Sequence, residues 1–87
     1  MLKEEVMLGN ETGLHARPAS LFVKEAAKFT SNIKVIKDSK ECNAKSIMGV
    51  LSMGASKGDI LVIQAEGNDA EEAVKALVKL VNDNFNE

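Results

Sequence analysis

The run Ile60-Leu61-Val62-Ile63-Gln64-Ala65-Glu66 is rich in β-branched residues and closed on both sides by turn chemistry, Lys57-Gly58-Asp59 before it and Gly67-Asn68 after it. Four apolar residues in succession leave no wet face, so the run reads as a strand in the middle of a sheet. A central strand needs partners, and the chain supplies three candidates. Leu2 to Leu8 alternates, with Val6 and Leu8 against Glu5 and Met7. Ile33-Lys34-Val35-Ile36-Lys37 is β-branched, and Asp38-Ser39 turns it tightly into Lys40-Glu41-Cys42-Asn43-Ala44, a short polar arm suited to an edge.

Between these strands lie stretches of helical period. From Pro18 to Phe29, the residues Ala19, Phe22, Val23, Ala26 and Phe29 line one face at i, i+3, i+4 spacing, with Ser20, Lys24, Glu25 and Lys28 opposite. Leu21 falls among the polar residues, either as an ordinary exposed leucine or as part of a docking patch. Lys45 to Gly54 is a second, short helical pattern: Ser46 stands where an N-cap serine belongs, Ile47, Val50 and Leu51 repeat periodically, and Met48 and Met53 fall off that face. The off-face methionines suit either a core edge or an adaptable binding surface. Asp69 with Glu72 three residues on resembles a capping box for a third helix running to about Phe85, with Ala73, Val74, Leu77, Leu80 and Val81 inward. The order is βαββαβα, an α+β pattern in which an antiparallel sheet has helices over one face. The open face keeps Met7, Ile36, Ile60 or Val62, scattered apolar residues of an ordinary kind.

At 87 residues and 45% hydrophobic, the chain can build one modest core, so residues 1–87 are expected to form a single domain. No apolar run approaches 18 residues, and the charged start Met1-Leu2-Lys3-Glu4-Glu5 does not resemble a signal peptide. A soluble cytoplasmic protein without membrane insertion is expected. Cys42 is alone, so neither an internal disulfide nor a cysteine–histidine zinc site is expected, and no metal or other cofactor. A net charge of −2 argues against general nucleic-acid binding. A sheet that recognises RNA normally offers strand aromatics, and all three phenylalanines (Phe22, Phe29 and Phe85) fall outside the strands.

Against this background Thr12-Gly13-Leu14-His15-Ala16-Arg17-Pro18 stands out, because it holds the only histidine, arginine and proline. Proline is tolerated in the first turn of a helix, so Pro18 marks a helix start just after His15. Free backbone N–H groups, the positive end of the helix dipole and the Arg17 guanidinium then make an anion site beside a titratable nitrogen. Phosphate is the natural occupant. A neutral imidazole can attack a phosphoryl group through its free lone pair. A histidine that merely caps the helix remains an alternative. No second base, Ser-His-Asp order or Walker-type loop accompanies it, which favours a carrier over a self-sufficient kinase or hydrolase.

The residues Gly13-Leu14-His15-Ala16-Arg17-Pro18 resemble the phosphorylation-site signature of the HPr family, the histidine-containing phosphocarriers of the bacterial phosphoenolpyruvate:sugar phosphotransferase system. Asn43-Ala44-Lys45-Ser46-Ile47-Met48-Gly49 resembles the regulatory serine region of its Gram-positive-type members, and the resemblance spans the whole chain. It implies an open-faced β-sandwich with sheet order 1-4-2-3. It implies that His15 accepts a phosphoryl group at Nδ1 from enzyme I and donates it to enzyme IIA domains of sugar permeases. Arg17 would assist, the Ala16 and Arg17 amides would hold the phosphate, and no enzyme activity of its own is implied. The resemblance further implies phosphorylation of Ser46 by HPr kinase/phosphorylase, a catabolite control repressor as partner in carbon catabolite repression, and docking around Leu21, Ile47, Met48, Gly49 and Met53 on a monomer. For Ser46 the plain alternative is an N-cap, and Lys45 is expected to help the helix start tolerate a phosphate. A Crh-like module, regulatory through phospho-Ser46 and with glutamine in place of the active histidine, is the alternative for the chain as a whole; His15 favours the carrier.

Overall fold

The computed structural model describes residues 1–86; Glu87 lies outside the described residues. In chain order it has β1 (Leu2–Met7), α1 (Ala16–Ala26), β2 (Asn32–Lys37), β3 (Lys40–Asn43), α2 (Ile47–Ser52), β4 (Ile60–Glu66), α3 (Ala70–Asn82) and a single 3-10 turn, Asn84–Asn86. The apolar run is an interior strand: β4 pairs antiparallel with β1 on one side, where Val6 faces Leu61, and with β2 on the other, where Val35 faces Ile63. β3 closes the far edge, so the strand order is β1-β4-β2-β3. The turn between β2 and β3 is as short as the sequence implies. Asp38 and Ser39, at φ 50° and 71°, are both left-handed, the two-residue geometry whose twist matches that of the strands it joins.

Alternation then sorts the sheet into two faces. Val6, Ile33, Val35, Leu61, Ile63 and Ala65 are buried beneath the helices, whereas Met7 and Ile60, neighbours on the other face, are 56% and 46% exposed. Phe22 of α1 and Leu77 of α3 are fully buried over the sheet. α3 lies along β1 and β4, and α1 packs on both α2 and α3. This is the open-faced sandwich with three helices on one side.

Two expectations about helices are corrected. The inward face of α2 is Val50 and Met53, at 0% and 4% exposure, while Ile47, Met48 and Leu51 are 38%, 74% and 38% exposed. Six residues are too few for periodicity to choose between the i, i+4 pair Ile47/Leu51 and the i, i+3 pair Val50/Met53. Contact with α1 and β3 makes the choice. Likewise α3 does not reach Phe85: the chain leaves the helix at Asp83, and Asn84, Phe85 and Asn86 all take positive φ. That costly reversal turns Phe85 inward until it is 1% exposed, and burying an aromatic ring of this size offsets the strain.

Asp69 is also corrected. It occupies the N-cap position of α3 but makes no side-chain cap bond there. Its carboxylate instead accepts hydrogen bonds from the Thr30 N–H at 2.9 Å, the Ser31 N–H at 3.0 Å and the Ser31 hydroxyl. The loop between α1 and β2 is thereby tied to the start of α3. These donors, the Ser31 hydroxyl first, hold the Asp69 carboxyl down at about 2. A depressed folded value means that the tie contributes in full above the unfolded carboxylate's value, about 3.9, and is lost as pH falls towards about 2. Asp69→Asn is therefore expected to melt earlier at pH 7 and to lose less further stability than wild type between pH 4 and 2, followed by circular dichroism. A smaller slope will remain, because the Glu11 and Asp59 carboxyls are also lowered, by Lys57 and by the Ser56 N–H respectively.

Candidate functional site

The site is built where β1 hands over to α1. Leu8, fully buried just past β1, donates its N–H to the Asp59 carbonyl at 2.9 Å and accepts from the Gly58 N–H at 2.7 Å. The next residues form a clamp. Asn10 is 4% exposed; its Nδ2 donates to the Gly13 carbonyl at 2.8 Å and to the Thr12 hydroxyl at 3.3 Å, while its own carbonyl accepts the Gly13 N–H at 3.2 Å. Gly13 lies at φ +63°, and a Cβ there would stand 2.5 Å from the Ala55 carbonyl oxygen. Only glycine fits without strain. The Leu14 N–H binds that same Ala55 oxygen at 3.1 Å, and its side chain enters the core.

With the chain pinned on both sides of Gly13, His15 is delivered to the N-cap position of α1 in extended geometry, φ −83° and ψ −174°. The first hydrogen bond of the helix runs from the Ala19 N–H to the His15 carbonyl at 2.8 Å. The N–H groups of Ala16 and Arg17 thus precede the helical ladder, and Pro18 has none to offer. The helix begins at Ala16, two residues before the proline. Pro18 sits inside the first turn, where a missing N–H costs nothing, so it marks the start only to within that turn. Its ring is buried, while His15, Ala16 and Arg17 are exposed.

The His15 imidazole makes no capping bond, and the first turn of α1 holds no acidic residue. Among the described residues, none of the ion pairs involves Arg17. An exposed ring nitrogen, an unpaired guanidinium and two free amides therefore share one helix end. This arrangement can accept a phosphoryl group and bind its oxygens by charge-assisted hydrogen bonds. It contains no additional base.

The second candidate is a cap in plain geometry. Ser46 is half-buried at the N-cap of α2, and its Oγ accepts the Gly49 N–H at 3.2 Å. Lys45 departs from expectation: its ammonium donates to the Phe29 carbonyl at 2.7 Å and so is committed to the turn that follows α1. Gly49 is half-buried, and a Cβ there would stand 3.4 Å from Cys42 Cβ. Burial pushes the Cys42 thiol up, away from the reactive thiolate. Of the expected docking residues, Ile47 and Met48 face outward, Leu21 is half-buried against the core, and Met53 belongs to the core itself. Because α1 packs on α2, the helix that begins at His15 adjoins the one that begins at Ser46. Among the described residues no three His, Cys, Asp or Glu side chains could hold a metal ion, and no helix is long and apolar enough to cross a membrane.

Residues 2–83 match the family described as the PTS HPr component phosphorylation site. The chain belongs to the HPr family. The chain is 47% identical over 81 residues to the HPr-like protein Crh of Halalkalibacterium halodurans, covering 93% of this chain and 96% of that one. It is 46% identical over 83 residues to the phosphocarrier protein HPr of Mycoplasma capricolum, covering 95% and 93%. The crystal structure of HPr-C-His from Thermoanaerobacter tengcongensis superposes with a TM-score of 0.97 at 54% identity, covering 100% of this chain and 98% of that one. Membership of this family supports a phosphocarrier role in the phosphotransferase system.

Residues that sequence reasoning passed over are Asn10 and Ala55, which shape the approach to His15. Asn10 carried a signal, since asparagine bonds its own backbone in turns; Ala55 carried none.

Proposed function

We propose that this protein accepts a phosphoryl group on His15 Nδ1 from phospho-enzyme I and passes it to enzyme IIA domains of sugar permeases. The donor's bond to phosphorus breaks as the Nδ1–P bond forms, and the ring must present Nδ1 unprotonated. The observation that carries this reading is the exposed, uncapped His15 beside the exposed Arg17 at an open helix start. Arg17 and the amides of Ala16 and Arg17 hold the phosphate oxygens, tightly enough to orient the group and loosely enough to release it. Residues 1–87 act as one cytoplasmic domain. The working unit is a monomer, although HPr from Thermoanaerobacter tengcongensis has also been crystallised as a dimer. Incubation with enzyme I, Mg²⁺ and labelled phosphoenolpyruvate is expected to give an acid-labile label that an added IIA domain removes. Absence of that label from wild type would sink the proposal.

Ser46 is proposed as the regulatory site, phosphorylated by HPr kinase/phosphorylase and read by the catabolite control repressor. Two added negative charges at a helix start suit the dipole, so the fold is expected to tolerate them while the neighbouring apolar surface of Ile47 and Met48 gains negative charge at its edge. With Lys45 held by Phe29, the dipole and backbone amides bear this alone. Ser46→Ala removes the bond to the Gly49 N–H and is expected to cost about 0.5–2 kcal/mol while still taking label on His15. Ser46→Asp is expected to slow transfer from enzyme I with a circular-dichroism spectrum near wild type. Unfolding of Ser46→Asp would leave Ser46 a capping role alone.

A further inference from the structure

We propose that Asn10 is a positioning residue for His15: its buried carboxamide closes the loop that sets the ring at the helix start. The proposal deepens the carrier reading and rests on it for its kinetic consequence. Asn10 is 4% exposed, yet its bonds serve no strand or helix. Both donors of Nδ2 go to the segment immediately before the site, to the Gly13 carbonyl at 2.8 Å and the Thr12 hydroxyl at 3.3 Å. The backbone bond from Gly13 N–H to the Asn10 carbonyl at 3.2 Å closes the same turn from the other side.

The arrangement is not that of a residue retained for packing. Asn10 Oδ1 is buried with no protein partner, and a buried acceptor left unpaired is unfavourable. An apolar side chain would fill the same space without that cost. What the carboxamide adds is the donor pair. Gly13 is held from two directions, by Asn10 on one side and by its close approach to the Ala55 carbonyl on the other, and Leu14 N–H binds that carbonyl at 3.1 Å. His15 follows Leu14 directly. A loop released from the Asn10 side chain keeps its Leu14 anchor and the backbone bond from Gly13 N–H but loses the side-chain hold on the Gly13 carbonyl, so the ring and the Ala16 and Arg17 amides no longer hold one mutual geometry.

The test compares Asn10→Ala, Asn10→Asp and Asn10→Ser with Asp69→Asn, which disturbs the distant tie to Thr30 and Ser31. In a loop held by a donor, Asp is near in size but presents a carboxylate to the Gly13 carbonyl, whereas Ser keeps a short donor. Asn10→Ala and Asn10→Asp are expected to take phosphoryl from enzyme I roughly ten-fold more slowly, short of the hundredfold that a misplacement of about 1 Å can cost. Asn10→Ser is expected to recover part of the rate. In nuclear magnetic resonance spectra the His15 ring and Gly13 amide signals shift in the Ala and Asp variants and stay in place in Asp69→Asn, which melts earlier yet transfers at the wild-type rate. If Asn10→Ala does not fold, the Asp and Ser variants carry the comparison. Wild-type transfer in Asn10→Asp, or lower thermal stability in Asn10→Ala with an unmoved His15 signal, overturns the proposal. If wild type itself takes no label, the carrier reading fails, and the His15 and Gly13 signals still decide whether Asn10 sets the ring.

Discussion

Gly13→Ala is expected to be the most damaging single-methyl addition in the loop region, lowering both stability and phosphoryl acceptance. The residue sits at φ +63°, and its new Cβ would stand 2.5 Å from the Ala55 carbonyl oxygen and 2.8 Å from Ser56 Cα. The left-handed conformation alone costs a non-glycine residue about 1–3 kcal/mol. The obstacle is backbone, which cannot turn aside as a side chain can, so the segment preceding His15 must move. Gly54 isolates the conformational effect: it has the same φ of +63° but nothing within 4 Å of its virtual Cβ. Gly54→Ala therefore carries the conformational cost without the clash. In thermal unfolding Gly54→Ala is expected to melt a few degrees below wild type and Gly13→Ala well below that, with only Gly13→Ala slowing transfer. Equal melting temperatures for the two variants would show that the Ala55 contact does not constrain the loop.

His15→Ala is expected to abolish phosphoryl acceptance entirely while leaving the fold intact. The second half of that statement is as specific as the first. The imidazole is exposed and makes no cap bond, so its removal opens no cavity and breaks no hydrogen bond within the protein. Substitutions of that kind usually change stability by no more than about 0.5 kcal/mol. A variant that loses all acid-labile label yet melts with wild type identifies a reactive side chain and not a structural cap. A marked loss of stability would restore the alternative in which His15 serves the helix.

The parts of this fold that are legible in sequence are those decided locally. Ile60 to Glu66 needs no distant partner to declare itself a strand, and the two residues Asp38-Ser39 admit only a tight turn. Pro18 located the start of α1 to within a turn, because the absence of an N–H is a local property. The parts that were not legible depend on what lies across the molecule. Asp69 looks like a cap, yet its carboxylate serves Thr30 and Ser31, 39 and 38 residues away in sequence. Met53 and Leu51 exchanged places because packing on α1 and β3 orients so short a helix. The burial of Asn10 follows from the way the loop folds against the Ala55 to Asp59 segment. At the candidate site, His15 and Arg17 stand out in the sequence itself, whereas the scaffold that positions them emerges only from the tertiary contacts.

The most direct measurement is phosphorus and nitrogen magnetic resonance on ¹⁵N-histidine-labelled protein after incubation with enzyme I, Mg²⁺ and phosphoenolpyruvate. With a single histidine in the chain, the spectrum has one possible ring to report. The expected result is one phosphorus signal coupled to Nδ1 of His15 and lost in acid. A phosphoryl group on Nε2, on Ser46 or on no residue at all would contradict the carrier geometry described for this helix start.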